Sequence, residues 1–212
     1  ATATVRGTID AVTADTRLSM SDVPGVGRVD GSFAVTASAA GVTVSQLRAS
    51  ALEGQIAGSA SLGRGAAPIL DAVLTGGLLD LRLVPEAKGL LAGTGHFRLE
   101  AAGPLSRPRG SLTAGLSAVT LSGYRLGEAT AQLTFDDDGL VVEKLRVGRP
   151  GSGALELGGK IGHDGRLDLR GDLRRLPLDS ILRPELNERL RLTGAASLEG
   201  IHVGGTKDRP EV

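Results

Sequence analysis

Apolar and charged residues alternate strictly along one stretch of the chain, "GALELGGKIGHDGRLDLRGDL" at residues 153–173. Side chains on a β-strand point to opposite faces with a period of two, so this pattern predicts two strands with one aliphatic face and one charged face. His163, Asp164 and Gly165 predict a turn between them, because Asp and Gly tolerate the backbone conformations of a tight hairpin. The aliphatic positions of the two predicted strands are Leu155, Leu157, Ile161, Leu167, Leu169 and Leu173.

The same alternation recurs along the rest of the chain. It is found in "SFAVTAS" (32–38), "GQIAGSASL" (54–62), "LLDLRL" (78–83), "GHFRLEA" (95–101) and "ATAQLTF" (129–135). Turn residues separate these segments at intervals of roughly 8–14 residues, which is typical of an all-β protein. The "LLDLRL" segment predicts a strand that places Leu79, Leu81 and Leu83 on one face.

A longer period is also present. "GVTVSQLRA" from Gly41 returns as "GLVVEKLRV" from Gly139, an offset of 98 residues, and "LAGTGHFRL" from Leu91 is echoed by "LTGAASLEG" from Leu192, an offset of 101. Echoes at similar offsets and in the same order predict an internal repeat of about 100 residues, and repeats of this kind grow by addition. We therefore expect a first, looser copy at residues 1–90 and a second copy at 91–212.

One segment interrupts the strand pattern. In "RRLPLDSILRPELNERLR" (174–191) the apolar residues recur three or four positions apart, and Pro184 suits the first turn of a helix. This spacing predicts one or two short helices, inserted near residues 176–190. An ordinary helix covering a sheet edge is the simplest interpretation.

Composition excludes several classes of function. The formal net charge is zero, with 24 basic and 24 acidic residues, which argues against nucleic acid and against a membrane surface bound by charge. There is no cysteine, so disulfides and thiolate metal sites are absent. The first residues do not have the pattern of a signal peptide, and no apolar run approaches the ~18 residues of a spanning helix. The first and last residues are typical of a piece of a longer protein.

Residues that could perform catalysis are scattered. His96, His163 and His202 stand singly, without the paired spacing of metal ligands. "FDDDG" (135–139) clusters three carboxylates, but it lacks the alternate acidic positions of an EF-hand, so a charged hairpin turn is expected. "GVGRVDG" (25–31) is not the dinucleotide-binding fingerprint. We therefore expect no enzyme activity, no metal site and no cofactor.

The sequence leaves open what the aliphatic face packs against. A β-sandwich would bury it against a second sheet, although large side chains usually fill such cores and aromatic residues make up only 2% of this chain. A parallel β-helix would also turn small aliphatic side chains inward, but a repeat of the usual coil length is not evident. A third alternative is a face that holds something other than protein.

Three segments resemble one family. They are the Gly-Pro-Arg-Pro connector "LAGTGHFRLEAAGPLSRPRGSL" (91–112), the alternating run "DGLVVEKLRVGRPGSGALELGGKIGHDGRLDLRGDL" (138–173), and "LPLDSILRPEL" followed by "LRLTGAASLEG" within 176–200. Together they are similar to the AsmA-like envelope proteins of the TamB family. The resemblance covers most of the chain and is clearest from about Leu91 onward.

The resemblance implies an elongated antiparallel sheet curled into an open, taco-shaped groove in the periplasm of a Gram-negative bacterium. It implies that phospholipid acyl chains move along this groove between the inner and outer membranes, in support of outer-membrane biogenesis. The implied partners are an Omp85-type outer-membrane barrel, reached through the parent protein, and the inner membrane, reached through an anchor outside this chain.

Parity predicts which residues line such a groove. The first set is Leu155, Leu157, Ile161, Leu167, Leu169 and Leu173, and the second is Phe97, Leu99, Ala131, Leu133 and Phe135. Ordinary core packing is the competing interpretation for each residue. Two other functions stay open: a structural or adhesive β-solenoid without lipid cargo, and a scaffold whose strand edges pair with client β-strands.

Overall fold

The structure, a computed structural model, describes residues 2–7, 11–23, 26–87, 89–149, 152–177, 189, 193–206 and 209–211. Two 3-10 turns, Leu81–Leu83 and Pro85–Ala87, interrupt the strands within these residues. The strands are β1 Thr2–Gly7, β2 Ala11–Val23, β3 Gly27–Ser38, β4 Gly41–Ala51, β5 Gly54–Gly63, β6 Ile69–Asp80, β7 Leu91–Pro104, β8 Arg109–Leu121, β9 Tyr124–Asp136, β10 Gly139–Gly148, β11 Ala154–Gly162, β12 Leu167–Pro177, β13 Ala195–Thr206 and β14 Arg209–Glu211.

The strands form one open antiparallel sheet in which neighbours in the chain are neighbours in space, from β1 to β14. This confirms the all-β prediction and the antiparallel arrangement. A parallel β-helix would pair its strands in parallel, so this arrangement does not favour it. The curling of the sheet into a taco-shaped groove stays a prediction.

Short turns join most pairs of neighbouring strands, so the strand order follows the chain there. Between β11 and β12 the N–H of Gly165 donates to the carbonyl of Gly162 at 2.9 Å, and Gly165 adopts a φ of +78°. The carboxylate of Asp164 accepts from the N–H of Arg166 at 3.1 Å. The predicted Asp-Gly turn is therefore confirmed. "FDDDG" likewise forms the β9–β10 turn, where Asp136 accepts from the N–H of Asp138 at 2.8 Å.

Two compact units divide the chain. The first comprises Ala1–Lys88 with Gly95–Ser111, and the second comprises Gly89–Thr94 with Leu112–Val212. The boundary predicted at residue 90 stays a prediction.

Strand positions recur every six strands. β2 begins at Ala11 and β8 at Arg109, β4 begins at Gly41 and β10 at Gly139, and β6 begins at Ile69 and β12 at Leu167. Each of these three pairs is offset by 98 residues, the offset found in the sequence. The strand positions therefore support a repeat whose copies are β2–β7 and β8–β13.

A β-bulge occurs at the same place in both copies. In β4, Val44 pairs with Ala60 and Leu47 pairs with Gly58, so three steps on β4 match two on β5. In β10 the same irregularity lies between Val142 and Leu145, each 98 residues further on. A bulge inserts one residue and shifts the side-chain alternation by one position. Apolar residues on both sides of the bulge can therefore share one face of the sheet.

The predicted strand "LLDLRL" is wrong beyond Asp80, where β6 ends and Leu81–Leu83 form a 3-10 turn. The Asp80 carboxylate caps this turn by accepting from the N–H of Arg82 at 2.9 Å. It also accepts from the Arg82 guanidinium, and this hydrogen bond is the main reason that the pKa of Asp80 lies below its usual value. Local capping by aspartate therefore overrides the alternation.

Most of the predicted helical insert near 176–190 lies outside the described residues. Leu176 and Pro177 end strand β12, and Arg189 is helical. In sequence, residues 178–185 ("LDSILRPE") match residues 79–86 ("LDLRLVPE") at five of eight positions. The first segment begins with the last two residues of β6, and the second begins directly after the end of β12.

Candidate functional site: an aliphatic face of the second unit

Four rows of apolar residues cross strands β9–β13 in the second unit. Each row consists of residues that are directly paired in register. We call the four rows together the aliphatic face: Phe135–Leu140–Ile161–Leu167; Leu133–Val142–Gly159–Leu169–Val203; Ala131–Leu145–Leu157–Gly171–Ile201; and Ala129–Val147–Leu155–Leu173–Leu198. None of these positions carries a charged or hydrogen-bonding side chain.

Nine of the predicted groove residues meet on the aliphatic face. The hairpin brings Leu155 opposite Leu173 and Ile161 opposite Leu167, while Leu157 faces Gly171. The remaining members of that prediction are Leu169, Ala131, Leu133 and Phe135. Phe97 and Leu99, on β7, belong to the first unit instead.

The period-two pattern missed the contribution of β10. Leu140 and Val142 have even numbers, whereas Leu145 and Val147 have odd numbers, yet all four belong to the face because of the bulge between them. The strand β13 contributes Ile201 and Val203, which were also missed. The echo of "GVTVSQLRA" in "GLVVEKLRV" is the sequence signal that could have found the β10 residues.

Most members of the face are half-buried, and Leu198 at the β13 edge is 57% exposed. All nine predicted residues on it are half-buried, and in the four rows only Val142 and Ala129 are buried. Central strands of a sandwich normally bury such positions completely, because a second layer covers them from above. Here cross-strand neighbours shield the side chains laterally. Most of the face therefore keeps contact with solvent.

Four rows about 6.8 Å apart on five strands about 4.8 Å apart give the face a footprint on the order of 400 Å². The largest apolar patch on a typical monomeric protein is of about this size and is often functional.

The opposite face of the same strands is charged. Glu156 of β11 lies between Arg146 of β10, at 3.3 Å, and Asp172 of β12, its register partner. Arg174 donates to Asp172 at 2.9 Å, and this hydrogen bond, helped by the N–H of Gly200, lowers the pKa of Asp172 below its usual value. Such exposed ion pairs add little stability. They keep this face hydrated, which leaves the aliphatic face as the apolar side of the sheet.

Glycines allow close contact between strands within the face. A Cβ at Gly171 would overlap with the carbonyl oxygen of Glu156, and one at Gly159 would overlap with that of Asp168. Glycine is therefore required at these positions for the strands to approach this closely, a device that permits sheets to bend.

The first unit carries equivalent rows. One runs Val12–Ala37–Val42–Leu62–Leu70, a second Ala14–Val35–Val44–Ala60–Ala72, and a third Leu18–Gly31–Ala49–Ile56–Gly76. Phe97 of β7 lies directly over Gly76, where a Cβ would overlap with its ring. Each copy of the repeat thus supplies an apolar face of the same kind.

Within the described residues, no group of three or more His, Asp or Glu side chains is arranged to hold a metal ion. In the same part of the chain, no helix has the length and apolar character needed to cross a membrane. Comparison with protein families, with curated proteins and with solved structures finds no match to this chain.

Proposed function

We propose that this chain is a segment of an AsmA-like, TamB-type envelope protein, and that its aliphatic face carries phospholipid acyl chains. The observation that supports this most strongly is that Leu155, Leu157 and Leu169 lie on central strands of an open sheet yet stay partly exposed. An apolar face that keeps contact with water favours an apolar ligand.

The chemistry of the face suits a mobile acyl chain. Each buried methylene contributes roughly 0.8 kcal/mol, so a long chain binds well without any polar contact. The rows contain only aliphatic side chains, glycine and one phenylalanine, so no single position would bind a methylene much more tightly than the next. A lipid on such a face can shift along it without crossing a large energy barrier.

The repeat extends this face. Because the strand pattern recurs after 98 residues, each further copy would add the same rows to the same sheet. We propose that the parent protein uses such copies to bridge the periplasm from the inner to the outer membrane. An anchor in the inner membrane and an Omp85-type barrel in the outer membrane are the proposed partners of that parent.

The length of the acyl chain is expected to control affinity. We expect lysophosphatidylcholines with progressively longer chains, used below their critical micelle concentrations, to displace a neutral fluorophore such as N-phenyl-1-naphthylamine. Affinity should rise up to about fourfold for each added methylene, the equivalent of roughly 0.8 kcal/mol. Competition titrations measured by fluorescence give these affinities directly.

Phosphocholine without an acyl chain serves as the control and is expected not to displace the fluorophore. Affinities independent of chain length, or displacement by phosphocholine itself, would contradict the proposal, because the headgroup would then supply the binding energy.

A further inference from the structure

The two ends of the strands in the first unit differ in how well their apolar residues are covered. At one end, β4 finishes with Ala51 and β6 leads into residues 80–87, which we call the strap. Ala51, Leu79 and Leu81 at this end are only 3%, 9% and 9% exposed, and they are the buried apolar residues of the first unit within its described part. Met20 and Leu83 at the same end stay 40% and 43% exposed, so the strap covers this end of the apolar face only in part.

The strap is held against two neighbouring turns. The N–H of Asp80 donates to the carbonyl of Leu52 in the β4–β5 turn at 2.7 Å. The side chain of Leu79 lies where a Cβ of Gly54 would point, 2.8 Å from it, and Pro85 lies 3.7 Å from the Cβ position of Gly27. The strap therefore borders the strand ends at β2–β3 and β4–β5.

The other end of the same strands is uncovered. Val12 and Val42 of the first row are 43% and 42% exposed, and Ile69 and Leu105 beside the turns are 61% and 48% exposed. The buried apolar residues lie at the strap end and not at this one, so the two ends of the apolar face differ in how well they shelter an apolar ligand. An apolar chain end is sheltered best near the strap, whereas a polar group can stay hydrated at the opposite end.

Among the described residues, three turns lie at this end, and we call them the open rim: residues 39–40, 64–68 and 105–108. The N–H of Arg64 donates to the carbonyl of Ala40 at 3.0 Å, and the N–H of Leu105 donates to that of Pro68 at 2.9 Å. The turns are thus linked into a continuous edge.

The open rim is basic. Arg64 and Arg107 are exposed, neither has an ion-pair partner among the described residues, and the rim itself contains no Asp or Glu. In the second copy, Asp137 and Asp138 take the place of residues 39–40, and Arg166, beside the counterpart of the Arg64 turn, is ion-paired with Asp164 at 3.2 Å. Guanidinium groups bind phosphate oxygens through paired hydrogen bonds. A phosphate at the end of an acyl chain is the ligand that this edge fits.

We propose that a phospholipid on the apolar face of the first unit lies with its acyl chains toward the strap and its phosphate at the open rim, bound by Arg64 and Arg107. The inference rests on the proposed function and adds an orientation and a headgroup class to it. The carboxylates of Asp137 and Asp138 and the pairing of Arg166 with Asp164 limit this contact to the first unit.

The test compares the double variant Arg64→Gln/Arg107→Gln with wild type, using dioctanoyl phosphatidylglycerol and dioctanoylglycerol to displace N-phenyl-1-naphthylamine from the full chain. The two lipids share their acyl chains and differ in the phosphate headgroup. The variant is expected to bind the phospholipid about threefold to tenfold more weakly and the neutral lipid as wild type does. The matched control is Arg17→Gln/Arg48→Gln. These two arginines are joined in register through Ser32, next to the Leu18–Gly31–Ala49 row and therefore on the opposite face of the first unit, so the control is expected to leave both affinities unchanged.

Each other result has a distinct meaning. Equal effects of the rim variant on both lipids, or no effect on either, would overturn the orientation while acyl-chain binding stands. Failure of both lipids to displace the fluorophore from wild type would overturn the proposed function itself. Displacement by glycerol 3-phosphate alone would assign the arginines to free phosphate and overturn their role in lipid binding.

Discussion

Replacing Leu157 with glutamate is expected to reduce acyl-chain binding by more than about tenfold while leaving the chain folded. Leu157 lies in the third row of the aliphatic face, between Leu145 and Gly171. A carboxylate there must either lose its hydration against an acyl chain or keep the chain away, and both outcomes weaken binding. Because the position is half-buried and open to water, the free energy of unfolding should fall by only about 1–2 kcal/mol.

The matched control is Gln132→Glu, which adds the same charge on the opposite face of β9, beside Lys144 in the register. It is expected to change neither binding nor stability. Fluorophore displacement gives the affinities, and urea denaturation followed by far-ultraviolet circular dichroism gives the stabilities. Unfolding of Leu157→Glu would indicate a covered core, and binding equal to wild type would mean that the acyl chain does not occupy this row.

Gly171→Ala is expected to lower the free energy of unfolding by about 2–3 kcal/mol, since it forces an extra methyl group into a space already filled by backbone. The new Cβ would overlap with the carbonyl oxygen of Glu156 and lie 2.8 Å from the carbonyl carbon of that residue. Backbone atoms cannot rotate away as a side chain can, so β11 and β12 would have to separate. The midpoint and slope of urea denaturation measure the loss.

Gly77→Ala is the control for this substitution, because an added Cβ at Gly77 of β6 would meet nothing within 4 Å. Its stability is expected to stay constant or to rise by up to about 1 kcal/mol, since alanine restricts the unfolded chain more than glycine does. Similar losses in both variants would contradict this explanation, because the close approach of β11 and β12 would then not determine the result.

The alternation of apolar and polar residues predicts the fold correctly wherever no bulge or cap interrupts a strand. The hairpin of β11 and β12 follows a pattern that runs unbroken from Leu155 to Leu173, and the turn at Asp164 and Gly165 carries a local signal of its own. The fold class and this hairpin could therefore be predicted from residue order alone.

The period-two pattern could not predict two kinds of local structure, the bulge and the aspartate cap. The bulge after Val142 shifts the alternation by one position. A strict period of two would therefore place the residues before and after the bulge on opposite faces of the sheet. Asp80 ends β6 through a side-chain hydrogen bond, although the leucines around it continue to alternate. Both depend on single backbone positions whose conformation the hydrophobic pattern does not encode.

Whether the aliphatic face is covered could not be predicted either. Leu155 and Leu157 would alternate in the same way in a β-sandwich, where a second sheet lies over them. Only the structure shows that they are half-buried. Exposure depends on what packs above a strand, and alternation describes only which side of the strand a residue occupies.

Photocrosslinking from the aliphatic face tests the central claim most directly. The chain would be produced in the periplasm of a Gram-negative host with p-benzoylphenylalanine in place of Leu169, and with Arg170 on the charged face replaced in a parallel sample. After irradiation and purification, the mass of the intact protein is measured. We predict a covalent adduct with the mass of one phospholipid at position 169 and none at 170. A lipid-free spectrum at 169, or equal adducts at both positions, would contradict the account.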